Sequence, residues 1–216
     1  MGIDDSTYVH GIHVVHDGPR EAPPLVLVHG SGASGSSWGP VVPVLARRHH
    51  VVRVDLPGHG QSPPAASYDV PGQAAVLRAL IAPPLGPLMW RVRSDAMLRR
   101  GVTAVCSRPV TVPDDLVDDV RDISYRTFRT VLRRNTEYIA ERSVPTRLGA
   151  LDVPALVVFG TADPRWDPDA VRLYDGTPNT RVERLAGVGH FPMLEAPAET
   201  GESLLRFLAA AGRRAF

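Results

Sequence analysis

The chain contains no lysine: all 24 of its basic residues are arginine. That excludes Schiff-base chemistry and the lysine-dependent phosphate loop. It has one cysteine, Cys106, so no disulfide can form within it and nothing points to an oxidising compartment. Charge of one sign is also lacking, because the formal net charge is +1. Without an overall field, neither nucleic acid nor a membrane surface is expected as a partner. No apolar run approaches the length of a membrane span, and the opening "MGIDDSTYVHG" has neither the charged nor the apolar region of a signal peptide. The expected location is the cytoplasm. What is present is ordinary globular composition: 216 residues, 44% hydrophobic, enough to bury the core of one domain.

Two apolar runs, "PLVLVHG" ending at Gly30 and "HVVRVDLPG" ending at Gly58, are short and rich in valine and leucine. Such runs suit strands buried on both faces of a parallel sheet. Between them, "SSWGPVVPVLARRHH" sets Trp38, Val41, Val42 and Leu45 at helical spacing, which gives a βαβ unit. The segment before, "TYVHGIHVVHDG", alternates as an edge strand or hairpin does. The segment after, "DVPGQAAVLRALI", predicts a helix with Ala74, Leu77 and Ile81 on one face. Near the other end "VPALVVFG" is a third buried-strand run, "PDAVRLYDG" a short helix closed by Gly176, and "TRVERLAG" a further strand. "APAETGESLLRFLAAAG" predicts a terminal helix with Leu204, Leu205 and Leu208 inward.

The class is therefore α/β, with a mostly parallel sheet flanked by helices. The middle is different. It is arginine-rich, interrupted by "VTVPDD", and carries Leu116, Val120, Ile123 and Val131 at helical intervals. The organisation expected is one overall domain: residues 1–83 the N-terminal part of an α/β core, 84–147 a helical cap-like insertion, and 148–216 the C-terminal part of the core.

The loop "VHGSGASGSSW" follows the first buried strand directly, and its glycines at 30, 32 and 35 let the backbone turn sharply with amides free to face a developing negative charge. Together with "VDLPGHGQS", "VFGTADPRWDP" and "GVGHFPMLEAP", in that order, it resembles the α/β-hydrolase superfamily over most of the chain outside the middle. The resemblance implies an oxyanion hole built at Ser31 with Gly30 and Gly32, a general base at His190, and an acid at Asp163 that orients the histidine. Asp167 and Asp169 lie close enough in sequence to compete for the acid's role. The "DLPGHGQS" turn, with Asp55, Gly58, His59 and Ser62, is read as loop structure. Histidine suits the assigned task because its pKa lets it take and return a proton near neutrality.

The resemblance also implies a strand, a tight GxSxG-type elbow and a helix after Ile81, and no such pattern is expected anywhere in the chain. "GSGAS" and "GASGS" sit in the oxyanion loop without the final glycine, and "GHGQS" has no serine at its centre. "AVLRALIAPPLGPLMW" instead joins a piece resembling the helix before the elbow strand to a piece resembling the turn into the cap. A strand, elbow, helix and strand need on the order of 30 residues. The expectation is that this central block is missing and the serine nucleophile with it. Cys106, in "AVCSRP", lacks the strand-turn-helix context of a nucleophile. Ser34, Ser36 and Ser37 would attack from the side where the oxyanion should lie.

His10, His13 and His16 do not share a strand face, and His49 and His50 diverge, so no metal is expected. Nor is a cofactor. The arginines of "WRVRSDAMLRR" read as a solvated cap face. Three readings of function follow. One is a hydrolase acting on a small apolar ester, lactone or related acyl substrate, its His190–Asp163 pair activating water. A second is a non-catalytic or internally deleted scaffold, prone to self-association through unpaired strand edges. A third is a cofactor-free lyase or oxygenase that uses the same histidine.

Overall fold

The computed structural model describes residues 5–9, 11–30, 32–64, 93–151 and 153–212. The helix expected around Leu77, the junction "AVLRALIAPPLGPLMW", His10 and Ser31 lie outside the described residues.

The chain opens with a hairpin, β1 (Asp5–Val9) and β2 (Ile12–Asp17), closed at Val9↔Ile12. Gly11 makes that turn possible, since its φ of 78° is the left-handed conformation that a two-residue hairpin loop demands. β3 (Pro24–Val28) runs through a 3-10 turn at Gly35–Trp38 and the short α1 (Val42–Leu45) into β4 (His50–Val54). β3 and β4 pair in parallel, Pro24 opposite His50, and β2 joins β4 antiparallel, which gives the order β1-β2-β4-β3. A second sheet pairs β5 (Ala155–Gly160) in parallel with β6 (Thr180–Leu185), the crossover being a 3-10 helix at Pro168–Tyr174. Among the described residues the two sheets share no strand pairing.

Between the sheets comes the helical run: α2 (Asp95–Thr103), α3 (Asp114–Asp122), α4 (Tyr125–Glu141) and α5 (Val144–Gly149). The residues from Leu116 to Val131, set at helical intervals, fold as two helices. Ile123 turns extended, and Ser124 caps α4 by accepting a hydrogen bond from the Thr127 amide at 3.0 Å. That break re-phases the second helix, so Leu132 is the buried residue in place of Val131. Two helices close the chain, α6 (Pro192–Glu195) and α7 (Pro197–Gly212).

The core is centred on Leu27, Val41, Leu45 and Val51, with Trp38, Leu204 and Leu205 packed against them. α7 can come this close because of Gly201, where a Cβ would meet Val44 Cγ1 at 2.9 Å. Each buried aliphatic side chain of this cluster contributes about 1.5–3 kcal/mol, and the cluster ties the C-terminal helix to the N-terminal sheet. β3 departs from the expectation of burial on both faces. Leu25 and Leu27 enter the core, but Val26 and Val28 are 57% and 49% exposed. α1 and α7 cover only the leucine face. A second cluster of Val112, Leu116, Val117 and Leu194 seats α3 on α6, directly above the turn that follows β6.

Candidate active site

Parallel pairing brings the C-terminal ends of β5 and β6 side by side, where α/β sheets carry functional groups. The loops beyond are stitched together: the Thr161 amide donates to Leu185 O at 3.0 Å and the Ala162 amide to Val188 O at 2.9 Å. Gly160 is required for the approach, because a Cβ there would collide with the carbonyls of Val188 and Gly189.

This brings two sequence-predicted residues together. His190 Nδ1 lies 2.8 Å from Asp163 Oδ2, and the side chains are 26% and 7% exposed. The other oxygen, Oδ1, accepts from the Arg165 amide at 2.8 Å, so the carboxylate is held at both ends. With Nδ1–H donating to the carboxylate, the lone pair of Nε2 is the free basic position of the ring. Asp167 and Asp169 take no part. Asp167 accepts from the Asp169 amide at 2.9 Å, and Asp169 pairs with Arg172 at 3.2 Å.

Two features of the histidine turn escaped the sequence reading. The His190 amide donates to Val105 O at 2.9 Å, which ties the turn to the helical insertion. More important is Glu195. Its Oε2 accepts from the amides of Ser107 and Gly189 at 2.8 Å and of Arg108 at 3.0 Å, and its Oε1 from Phe191 at 3.1 Å. Burial alone would raise this carboxyl's pKa, but four backbone donors outweigh it and hold the group ionised, below the ordinary carboxylate range. One buried anion thus fixes both flanks of His190. The only sequence trace is a glutamate five residues after the histidine.

Across from the pair stands the glycine loop after β3. Ser31 lies outside the described residues, with Gly30 and Gly32 on either side. Gly30 lines a cavity shared with His190, and Gly32, at φ 75°, faces Phe128 of α4. His29 anchors the loop, donating from Nδ1 to Gly30 O at 2.8 Å and accepting at Nε2 from the Leu56 amide at 2.9 Å. Burial lowers its pKa to about 4, so it stays a neutral brace. Asp55 completes the support by accepting from the Gly35 amide at 2.7 Å and the Gln61 amide at 3.0 Å, with His13 Nδ1 2.7 Å from its Oδ2. Ser62 donates to Asp55 O at 2.7 Å, and His59, its pKa lowered by burial, bonds Pro57 O. Ser62 also accepts from the His13 amide of β2 at 2.8 Å, which ties this turn to the sheet.

The serines of the glycine loop are bound elsewhere. Ser34 donates to Asp119 Oδ2, and Ser36 does so at 2.6 Å. The letters Gly35-Ser36-Ser37-Trp38-Gly39 do fit GxSxG spacing, which corrects the expectation that the pattern occurs nowhere in the chain. The context is wrong for an elbow, because these residues form a 3-10 turn in which Ser37 is buried and donates to Ser34 O at 2.7 Å. Cys106 is no better placed. Its thiol points to Val102 O at 3.3 Å, and burial, with Glu195 adjacent, pushes its pKa up to about 12.

Two cavities open on His190. One, of about 370 Å³, lies against β5 and is walled by Val157, Phe159, Trp166, Leu173 and Tyr174. The other, of about 550 Å³, lies between the glycine loop and α4, under Phe128, Leu132 and Ile139. Among the described residues no group of three or more His, Cys, Asp or Glu side chains is placed to hold a metal ion, and no helix is long and apolar enough to cross a membrane.

Residues 25–87 match the model of the alpha/beta hydrolase family. The chain is 42% identical over 72 residues to a pimeloyl-[acyl-carrier protein] methyl ester esterase of Aeromonas hydrophila, covering 32% of this chain and 28% of that one. It spans about a quarter of the length of such curated relatives. A polyketide synthase, ThaQ of Burkholderia thailandensis, is 26% identical over 249 residues, covering 88% of this chain and 12% of that one. That alignment is longer than the 216-residue chain, so it includes positions of the synthase for which this chain has no residue. Among solved structures, the haloalkane dehalogenase DbeA of Bradyrhizobium elkani superposes with a TM-score of 0.74 at 16% identity, over 97% of this chain and 98% of that chain.

Proposed function

We propose that the chain, which has the α/β-hydrolase fold and matches the alpha/beta hydrolase family over residues 25–87, hydrolyses a small apolar ester, lactone or related acyl compound. His190 is the general base and Asp163 its orienting acid. The observation that carries this reading is the 2.8 Å His190–Asp163 pair opening onto a cavity that Gly30 of the glycine loop also lines. In this reading a carbonyl in that cavity meets the histidine base and the glycine loop, whose amides would supply the second element that acyl transfer needs.

None of the described glycine-loop serines, nor Cys106, is placed to form an acyl-enzyme: Ser34 and Ser36 serve Asp119, Ser37 serves Ser34, and the Cys106 thiol is held neutral. In this reading Nε2 takes a proton from water as the water oxygen attacks the carbonyl carbon. The tetrahedral oxyanion rests on the amides at Gly30 to Gly32, and the imidazolium then gives its proton to the leaving alcohol. Without the covalent step, general base help contributes about 10²–10⁴-fold, so turnover is slow. Asp163 keeps the imidazole in the right tautomer and offsets its positive charge in the transition state.

A second reading, a hydrolase-derived scaffold that lacks a central block, is supported by the absence of pairing between the two sheets and the exposure of Val26 and Val28 on β3 among the described residues. A cofactor-free lyase or oxygenase would draw on the same histidine. The deciding experiment is hydrolysis of a panel of short-chain chromogenic esters by the purified chain and by His190→Ala. Turnover that disappears in the variant supports the enzyme. Turnover unchanged in the variant overturns the role of His190, and none in either protein favours the scaffold.

A further inference from the structure

The larger cavity has a polarity that its apolar walls do not account for. α4 presents Phe128, Leu132, Asn135 and Ile139 to it, spaced by four, three and four residues, so a single helical face forms the roof. Three of the four are apolar. On the opposite wall, two residues beyond Asp163, is Arg165.

The charge of Arg165 is unspent. On the helical run Arg121, Arg134 and Arg147 are matched to carboxylates, Arg121 to Asp118 at 2.8 Å, Arg134 to Glu137 and Arg147 to Glu141 at 3.1 Å each. Arg165 uses only its backbone amide, on Asp163, and among the described residues its guanidinium has no partner. The two nearest carboxylates in sequence are engaged, Asp163 with His190 and Asp167 with the Asp169 amide. An unpaired guanidinium at the mouth of an apolar slot offers two parallel N–H donors to a planar anion.

Building on the acyl-substrate reading above, we propose that this cavity takes an acyl compound whose apolar chain lies under Phe128, Leu132 and Ile139 and which carries a carboxylate held by Arg165. One guanidinium in apolar surroundings matches one carboxylate. A phosphate would need further donors to spread its greater charge, and among the described residues no second guanidinium lines the cavity. Arg165 thereby sets which acyl compounds enter, and takes no part in bond making.

The test is equilibrium binding, which does not depend on turnover. Octanoate and its neutral counterpart octanamide are titrated calorimetrically into the wild-type chain, Arg165→Gln and Arg165→Lys at pH 8, with thermal melts as a check on folding. A charge-assisted pair at a partly exposed site makes octanoate the tighter ligand by roughly tenfold. Arg165→Gln removes that preference and leaves octanamide unchanged, while Arg165→Lys keeps part of it. Raised salt narrows the gap in the wild type and in Arg165→Lys, but has no gap to narrow in Arg165→Gln. Equal affinity of the two ligands for the wild type, or a preference that survives in Arg165→Gln, overturns the assignment to Arg165 while leaving the apolar acyl site standing. Binding of neither ligand overturns both.

Discussion

Replacing Glu195 by glutamine is the sharpest probe of how the site is held. The carboxylate accepts four amide hydrogens at 2.8 to 3.1 Å. Glutamine keeps one carbonyl oxygen and sets an NH₂ group against the donors that Oε2 had served. The Ser107 and Arg108 amides are near enough to solvent to find water, but Gly189 is buried. A buried donor left without a partner costs about 1–3 kcal/mol, and a lost bond to a charged acceptor about as much. The expected loss is therefore about 2–5 kcal/mol in total, a large share of the 5–15 kcal/mol typical of a domain. Urea unfolding followed by circular dichroism measures it.

The pH dependence has a definite sign. Because folding lowers the pKa of Glu195, its contribution is complete above the ordinary carboxylate range and is lost as pH falls through the folded value. The gap between wild type and Glu195→Gln is accordingly widest near neutrality and closes in acid. His190 adjoins Gly189, so esterase turnover falls as well. A variant within about 0.5 kcal/mol of wild type, with turnover intact, would refute the view that this buried anion anchors the histidine turn.

Asp119 carries the opposite sign. Burial raises its pKa even though Ser34 and Ser36 donate to it, so it favours folding most when protonated and costs stability as pH rises from the unfolded value through the folded one. Unfolding of Asp119→Asn between about pH 4 and 6 should be flatter than that of the wild type; parallel curves would contradict this. At Cys106, a thiol held near 12 should react slowly with a disulfide reagent at pH 8 and at the rate of an ordinary cysteine in urea. Fast labelling of the native chain would show a thiolate that the structure does not provide.

The legible parts of the molecule were those written in local pattern. The glycine loop, the acid beyond "ALVVFG" and the histidine in "GVGHF" each carry their signal within a few residues, and parallel pairing of β5 and β6 brings Asp163 and His190 to 2.8 Å. The break at Ser124 is written as a serine cap, which helical spacing from Leu116 to Val131 does not by itself reveal. Other features depend on what packs on top. Nothing in "PLVLV" says that Val26 and Val28 face outward, since that follows from the absence of a covering element among the described residues. Glu195 was illegible because its four donors come from two segments far apart in sequence. "GSSWG" shows the converse, a motif whose letters agree with an elbow while its backbone and burial do not.

The central claim is that a histidine base works here without a serine nucleophile. It is tested most directly by treating the chain with a fluorophosphonate, recording its intact mass, and assaying the treated protein on a short-chain chromogenic ester. The account predicts an unmodified mass and undiminished, slow turnover. A stoichiometric adduct on Ser34, Ser36 or Ser37, with loss of turnover, would contradict it.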